Sequence, residues 1–341
     1  MTHYLVTGGT GFLSAHLIAQ LLTQGAFVRT TVRSLEKSDQ VRQTMVDNHI
    51  PHLDRLSFAV ADLNTDAGWA AAMADIEGVF SVASPVFMDH PQDAAAAMRP
   101  AIDGVQRVIK AAQAAGVRRL VMTANFGAVG FSNLDPQHVT TEADWTDPDQ
   151  PGLSLYEKSK LLAEKAAWQL IDAPDNHLEF ATINPVAILG PALSAHLSGS
   201  FSILTNLMNG SLKVVPPIAL NIVDVRDVAK LHILAMQTPA ANHQRFIAAA
   251  DGMISMPQMA AVIRQYVPTV ADKLPRHTLP VWALHLAAHF NRTAKEGDLL
   301  LRVNHHVSNQ KARTVLGWEP LGSIQDTLQT TLASMAHYGV L

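Results

Sequence analysis

The first 25 residues constrain the fold of this chain more than any other segment. A short β-rich run over residues 4–7 leads directly into Gly8-Gly9-Thr10-Gly11, and helical spacing follows over residues 12–22. Gly8 permits a tight turn, and Gly11 lets the backbone approach a pyrophosphate at a helix start, where free N–H groups and the helix dipole attract an anion. The segment therefore predicts a dinucleotide site. Its expected contacts are Gly8, Thr10, Gly11, Phe12 and Leu13.

Strand-like and helix-like segments alternate through the first half of the chain. Candidate strands cover residues 4–7, 26–32, 56–61, 79–83, 119–123 and 179–184. Between them, apolar residues recur every three or four positions, as over residues 94–115. This alternation is typical of parallel strands joined by crossover helices, and wholly apolar runs such as Leu120-Val121-Met122 suit a sheet buried on both faces. The predicted fold class is α/β, with a doubly wound parallel sheet.

The pattern loosens after residue 185, where proline and glycine become frequent. We predict a strand over residues 220–225, a helix over 228–236, a strand over 245–249 and further helices toward the C-terminus. Residues 1–185 are therefore expected to form the dinucleotide-binding domain, to which the strand and helix at about 220–237 return. Residues 186–341 are expected to form mainly a smaller substrate lobe over the carboxyl edge of the sheet, where ligands bind in such folds.

Composition excludes several classes of protein. The chain has 341 residues, no cysteine and a formal net charge of -4. It therefore has no disulfide, thiolate metal site or cysteine nucleophile, and its acidic balance argues against a nucleic-acid partner. Without a signal pattern or an apolar run of roughly 20 residues, we expect a cytoplasmic protein with no membrane span. His285 and His289 have a zinc-like spacing, but a third ligand is missing, so we predict no metal.

The ends of strands two, three and four add candidate cofactor contacts. An NAD site places an acid at the end of strand two, but this chain has Arg33 there, and Lys37 follows. A guanidinium at this position favours a 2′-phosphate and hence NADP(H). Asp62 is placed to accept from the adenine amino group, although it is equally suited to cap a helix. The other expected contacts at these strand ends are Leu63, Ala83, Ser84 and Pro85.

Tyr156 and Lys160 form the candidate catalytic pair. They begin a predicted helix over residues 155–170 and lie four residues apart, so they share one helix face. A phenol has a pKa near 10, and a neighbouring ammonium favours the phenolate and lowers that pKa toward a useful range. The spacing alone is a weak signal. Its position after the fifth strand, in a chain with the glycine turn, strengthens it.

These motifs occur in order with residues 121–130, 183–191 and 223–228 and the tail 308–318. Together they resemble the extended short-chain dehydrogenases/reductases, and more narrowly their dihydroflavonol-reductase-like branch of carbonyl and aldehyde reductases. The resemblance spans nearly the whole chain. It implies a Rossmann-type sheet, NADPH-dependent hydride transfer to an aldehyde or ketone, and Tyr156 as the proton donor. Lys160 is then expected to lower the pKa of Tyr156 and to bind the nicotinamide ribose. Further cofactor contacts implied by the resemblance are Thr123, Pro185 and Val186.

One position departs from the pattern of that family. The family's catalytic serine closes a Thr-Ser-Ser run, whereas the matching residues here are Thr123-Ala124-Asn125. The NH2 group of Asn125 can donate to a substrate carbonyl, with Thr123 as a second candidate donor, although asparagine also readily bonds nearby backbone. Candidate substrate contacts are Phe87, Met88, Asn125, Phe126 and Phe131, together with residues 197–204.

Two other functions use the same fold. A nucleotide-sugar epimerase or dehydratase holds NAD tightly, and Arg33 in place of an acid argues against it. A dinucleotide-sensing regulator needs neither Tyr156 nor Lys160, so their presence argues against this class. The expected partner is a small-molecule carbonyl compound. Both a monomer and a homodimer are compatible with the sequence.

Overall fold

The structure is a computed structural model that describes residues 2–85 and 93–341. Its strands are β1 His3–Val6, β2 Phe27–Val32, β3 Leu56–Val60, β4 Gly78–Ser81, β5 Arg119–Thr123, β6 Glu179–Pro185, β7 Ala187–Leu189, β8 Val214–Val215, β9 Ala219–Leu220, β10 Ile222–Asp224, β11 Gln244–Ala248, β12 Ile254–Ser255 and β13 His277–Thr278. Its α-helices are α1 Phe12–Thr23, α2 Glu36–Asp47, α3 Trp69–Met73, α4 Ala94–Ala114, α5 Leu155–Ile171, α6 Phe201–Met208, α7 Val225–Gln237, α8 Met256–Tyr266, α9 Val281–Ala287, α10 Arg292–Arg302, α11 Gln310–Leu316 and α12 Ile324–His337.

A seven-stranded sheet in the order β3-β2-β1-β4-β5-β6-β11 organises the molecule. Every neighbouring pair is parallel, and Val6 of β1 pairs with Thr30 on one side and Phe80 on the other. The chain moves outward through β2 and β3, then crosses back to β4 beside β1. Ligands of such sheets bind at this change of direction, outside the carboxyl ends of the strands. The predicted fold class is confirmed.

Helices cover both faces of the sheet, as the apolar strands require. One core contains buried residues of α1 and α7, including Leu17, Ile18 and Val228. The other lies under α3, α4 and α5 and includes Trp69 and Val108. Helix α4 begins at Asp93, whose side chain accepts from the backbone N–H groups of the first turn, and its apolar residues recur at helical spacing on the buried face.

The segment at about 220–237, which was expected to return to the dinucleotide-binding domain, differs from that expectation in one respect. The strand predicted near residues 220–225 is observed as β10, which pairs with β7 and does not join the main sheet. The seventh strand is instead β11, which pairs with β6 and so occupies that edge of the sheet. Helix α7 does return, and the buried Arg119 guanidinium donates to its last carbonyls, Ala235 O at 2.9 Å and Met236 O at 3.1 Å.

The C-terminal tail is hydrogen-bonded to helix α7. Asp227 of α7 accepts from the indole Nε1 of Trp318 at 3.1 Å and from the backbone N–H of Leu321 at 3.0 Å. Trp318 is fully buried. The tail is therefore part of the main core. In residues 2–85 and 93–341, no helix combines the length and the apolar character that crossing a bilayer requires.

Candidate active site

The glycine turn lies against the ends of β2 and β4. The N–H of Gly8 donates to Thr31 Oγ1 and that of Gly9 to the Thr31 carbonyl, both at 2.9 Å. Gly8 has φ +73°, and a Cβ there would lie 2.9 Å from the Cβ of Ala83. A Cβ on Gly9 would lie 2.5 Å from Thr30 Oγ1, so Gly9 is a required glycine that the motif alone did not single out. A side chain on Gly8 or Gly9 would therefore collide with Ala83 or Thr30 and displace the turn.

Helix α1 begins beside this turn without a side-chain cap. Gly11 is its N-cap residue, and Phe12 and Leu13 form the first buried positions. The first N–H groups of a helix have no partner within it, so this terminus offers donors and a positive dipole end to an anion. Ser14, where a third small residue is expected, donates from Oγ to the Thr7 carbonyl at 3.2 Å. The geometry fits the pyrophosphate site predicted from the sequence.

Arg33 and Lys37 are exposed just beyond the end of β2. Within the described part of the chain, neither cation forms an ion pair with a carboxylate. Their positive charge therefore faces solvent at the edge where strand two ends. A 2′-phosphate is the kind of group that such a pair of cations attracts.

The other predicted cofactor contacts surround the glycine turn or follow β6. The N–H groups of Val82 and Ala83 both donate to Thr7 Oγ1 at 2.9 Å, which ties the end of β4, followed by Ser84 and Pro85, to the turn. Asp62 Oδ1 accepts from the backbone N–H and the side-chain amide of Asn64, so this oxygen stabilises a local turn that contains Leu63. Pro185 ends β6, and the N–H of Val186 donates to Ala248 O at 3.1 Å.

Tyr156 and Lys160 lie on one face of the first two turns of α5. Ser154 caps this helix by accepting from the Glu157 N–H at 3.2 Å. The Lys160 Nζ is 5.7 Å from the centre of the Tyr156 ring. Tyr156 is 44% exposed, whereas Lys160 is buried. The Tyr156 side chain is therefore partly open to solvent, whereas Lys160 lies within the protein.

The protein's own groups shift the two pKa values in opposite directions. Desolvation by the surrounding protein, followed by the Glu157 carboxylate, raises the pKa of Tyr156 to about 12. Burial lowers the pKa of Lys160 to about 8. The expected lowering of the Tyr156 pKa by Lys160 is therefore not found, because desolvation and the Glu157 carboxylate both favour the neutral phenol. Tyr156 is a neutral phenol at neutral pH.

Asn125 lies at the start of a short 3-10 turn, Phe126–Ala128, directly after β5. Its Oδ1 accepts from the Gly127 N–H at 2.5 Å. Half of the amide therefore bonds loop backbone, as the alternative interpretation proposed. The NH2 half has no hydrogen-bond partner within residues 2–85 and 93–341, and it remains able to donate. The turn packs against α5, since a Cβ on Gly127 would lie 2.7 Å from Glu157 Cγ.

Glu157 is a carboxyl at this contact that the sequence motifs did not single out. Burial, with a smaller contribution from the nearby Glu296 carboxylate of α10, raises its pKa to about 7. In the sequence, only its position directly after Tyr156 indicated that Glu157 lies near the candidate site. Helix α10 therefore lies close to the N-terminal turn of α5.

Thr123 is not the second donor to a substrate that the sequence suggested. Its Oγ1 is 2.7 Å from Nε2 of the buried His232, whose Nδ1 is 2.7 Å from the Val228 carbonyl. A carbonyl only accepts, so Nδ1 carries the proton, and burial lowers the pKa of His232 to about 4 and keeps the ring neutral. Nε2 must then accept, and the Thr123 hydroxyl donates its proton to it.

The predicted substrate contacts have different surroundings. Phe126 is buried in the main core, and its ring meets that of the half-buried Phe131 edge-on at 6.1 Å. In the 197–204 segment, Phe201 and Leu204 are buried. Phe87 and Met88 lie outside the described residues. The imidazole of His285 pairs with Asp298, and His289 Nδ1 lies 2.9 Å from the His285 carbonyl, so the two rings make separate contacts.

The parallel sheet, the glycine turn and the Tyr156–Lys160 pair define a dinucleotide-dependent oxidoreductase of the extended short-chain dehydrogenase/reductase class. The sequence profile of the 3-beta hydroxysteroid dehydrogenase/isomerase family matches residues 5–252. The chain therefore belongs to this family. The resemblance seen in the sequence is confirmed.

Individual relatives are reductases. Cinnamoyl-CoA reductase 1 of Arabidopsis thaliana is 34% identical over 278 residues, which cover 81% of this chain and 76% of that protein. Anthocyanidin reductase ((2S)-flavan-3-ol-forming) of Vitis vinifera is 30% identical over 278 residues, which cover 77% and 80%. Among solved structures, Gre2 of Candida albicans in complex with NADPH is similar with a TM-score of 0.81 at 25% identity, and the match covers 99% of both chains.

Proposed function

We propose that this protein is an NADP(H)-dependent reductase that converts an aldehyde or ketone into an alcohol. The observation that carries the proposal is the placement of Tyr156, Lys160 and Asn125. The first two share a face of α5, and the turn after Asn125 packs against that helix at the carboxyl edge of the sheet. The relatives named above support a reductase, and the Candida structure supports NADPH as its cofactor.

The residues of this chain fit NADP(H). Gly8 and Gly9 let the turn lie close against Ala83 and Thr30, and the uncapped N-terminus of α1 would hold the pyrophosphate. Arg33 would hold the 2′-phosphate, and Lys160 would bind the nicotinamide ribose. When bound, the reduced nicotinamide supplies the hydride that the carbonyl carbon accepts.

Tyr156 then supplies the proton. Its pKa of about 12 keeps the phenol protonated across the physiological range, which is the form that reduction needs. As the carbonyl oxygen gains negative charge, the phenol Oη gives its proton to that oxygen and becomes a phenolate. The Lys160 ammonium stabilises the phenolate that is left.

Asn125 would hold the carbonyl during this step. Because Oδ1 is engaged by the Gly127 N–H, the amide is oriented by the loop, and its NH2 group is left to donate. A donor fixed before the reaction stabilises a developing oxyanion more than a mobile one does, because it needs no reorganisation. Asn125 would therefore perform the hydrogen-bonding part of the usual serine's role.

We expect wild-type protein to oxidise NADPH when small aldehydes or ketones are added, and Arg33→Ala to lose much of its preference for NADPH. A charge-assisted hydrogen bond to the 2′-phosphate contributes about 1.5–3 kcal/mol. The ratio of kcat/KM with NADPH to that with NADH should therefore fall about tenfold to a hundredfold in the variant, measured by absorbance at fixed carbonyl concentration.

Arg42→Ala is the matched control for Arg33→Ala. Arg42 is an exposed arginine of α2 whose guanidinium donates to the Leu53 and Leu56 carbonyls, so its loss should leave the cofactor ratio unchanged. NADPH binding without turnover of any carbonyl in a broad panel would favour a regulator instead. NAD retained through purification would favour the epimerase or dehydratase class.

We also expect kcat for reduction to fall as the pH rises above about 8. The pKa of Lys160 is lowered to about 8, so its ammonium is present below that pH and is lost above it, whereas Tyr156 stays protonated to about 12. The measurement is kcat at saturating NADPH from pH 6 to 10. Lys160→Met should be slow and lack this limb. A wild-type profile that stays flat to pH 10 would contradict the assignment.

A further inference from the structure

A buried carboxylate lies in line with the two residues of the catalytic pair. Glu164 follows Lys160 by one turn of α5 and Tyr156 by two, so all three share a helix face. Glu164 is fully buried, and a buried charge requires a partner. Arg245 of β11 provides it, with Nε 2.9 Å from Glu164 Oε1.

Three further donors satisfy this carboxylate. Trp168 Nε1 donates to Oε1 at 3.3 Å, and the single hydroxyl proton of Thr182 is shared between Oε1 and Asn184 Oδ1, each 3.0 Å away. Asn184 Nδ2 donates to Oε2 at 2.7 Å. Because an ionised carboxylate only accepts, the short bond to Oε2 fixes which end of the Asn184 amide is the NH2 group.

The same NH2 group reaches the candidate carbonyl-binding residue. Asn184 Nδ2 lies 3.3 Å from the backbone oxygen of Asn125, and Asn184 is fully buried at the end of β6. The side chain of Asn125 accepts from the Gly127 N–H, and its backbone carbonyl accepts from the Ala128 N–H at 3.0 Å as well as from Asn184. Asn184 thus bridges Glu164, which lies on the helix that carries Tyr156, and the backbone of Asn125.

We propose that Asn184, anchored by Glu164, is a positioning residue that fixes Asn125 relative to Tyr156. This inference rests on the proposed function, because it assigns a reason to hold Asn125 still. Within residues 2–85 and 93–341, Glu164, Asn184 and Asn125 form no hydrogen bond with the glycine turn, so the bridge is expected to act on the reacting carbonyl and not on pyrophosphate binding.

The first test is Asn184→Ala. A displacement of about 1 Å in a reacting group can cost about a hundredfold in rate, so we expect kcat for carbonyl reduction to fall about tenfold to a hundredfold. The KM for NADPH should stay within about twofold of the wild-type value, because the pyrophosphate and 2′-phosphate contacts are untouched. Should Asn184→Ala fail to fold, Asn184→Ser serves instead, since its hydroxyl is too short to bridge Glu164 and Asn125.

Trp168→Phe is the matched control. It removes one donor to the same carboxylate, on Oε1, without touching Asn184 or Asn125. If the bridge matters only for folding, the two variants lose thermal stability and activity in parallel. The proposal requires a lower Tm with nearly normal kcat for Trp168→Phe, and a loss of kcat for Asn184→Ala or Asn184→Ser.

A double-mutant cycle with Asn125→Ala decides between the outcomes. If Asn184 acts through Asn125, its replacement in the Asn125→Ala background changes kcat by less than about twofold, because the group it positions is already gone. Losses that multiply in the double variant, or an unchanged kcat in Asn184→Ala, would overturn the positioning role. Failure of the wild-type protein to turn over any carbonyl with NADPH would instead overturn the proposed function itself, so the two failures are distinguishable.

Discussion

Tyr156→Phe is expected to lower kcat for carbonyl reduction by about 10²–10⁴-fold, the range that a positioned general acid contributes. The substitution removes the hydroxyl that gives a proton to the carbonyl oxygen and leaves the ring in place beside Lys160. Because Tyr156 is 44% exposed, the loss of one hydroxyl should not disturb packing. The measurement is steady-state kcat at saturating NADPH, combined with direct titration of NADPH binding, which should be nearly unchanged.

Tyr266→Phe is the matched control, since Tyr266 ends α8 in the C-terminal half and has no place in the proposed mechanism. It should retain wild-type kcat. Undiminished turnover by Tyr156→Phe would remove Tyr156 as the proton donor, whatever the cofactor preference.

The second large effect is expected at Asn125. Asn125→Ala should lose about 2–4 kcal/mol of transition-state stabilisation, or about 30-fold to 10³-fold in kcat, if the amide acts as an oxyanion donor. The same variant also loses the bond from the Gly127 N–H to Oδ1, which contributes about 1 kcal/mol to stability as a capping interaction. Kinetics and thermal unfolding must therefore be measured on the same preparation.

Two further variants separate the two roles of Asn125, which are to cap the turn and to donate to the carbonyl. Asn125→Asp keeps an oxygen that can accept from the Gly127 N–H but has no NH2 donor, so it should fold normally and be as slow as Asn125→Ala. Asn125→Ser restores a hydroxyl donor and should recover part of the activity. Wild-type kcat in Asn125→Asp would mean that another group holds the carbonyl.

The parts of the fold that local sequence patterns determine were predictable. Strand β5 has the predicted bounds, and the glycine turn and helix α5 lie where their motifs indicated. Helix α2 was not predicted because it is largely polar and buries only Val41 and Met45. The pairing of β10 with β7, and not with the main sheet, joins segments distant in sequence, and no local pattern specifies it.

In the candidate site too, local features could be predicted from the sequence, whereas features that depend on distant residues could not. The spacing of Tyr156 and Lys160 and the departure at Asn125 are local and could be read directly. The sign of the Tyr156 pKa shift could not, because it depends on how much protein surrounds the phenol. The Glu164–Arg245 pair joins residues 81 positions apart, and its only sequence signal was a carboxylate one turn after Lys160.

The sheet that presents the cofactor site is completed by the second half of the chain, and this limits how the protein can be recombined. A fragment that ends after β6 would expose the edge that β11 covers and lose the helix that Arg119 and the Trp318 tail secure. Exposed edges of this kind pair with other chains. Chimeras that exchange substrate recognition between relatives therefore have to replace internal segments between β7 and β10 or after β11, with α7, β11 and the Trp318 region retained from one parent.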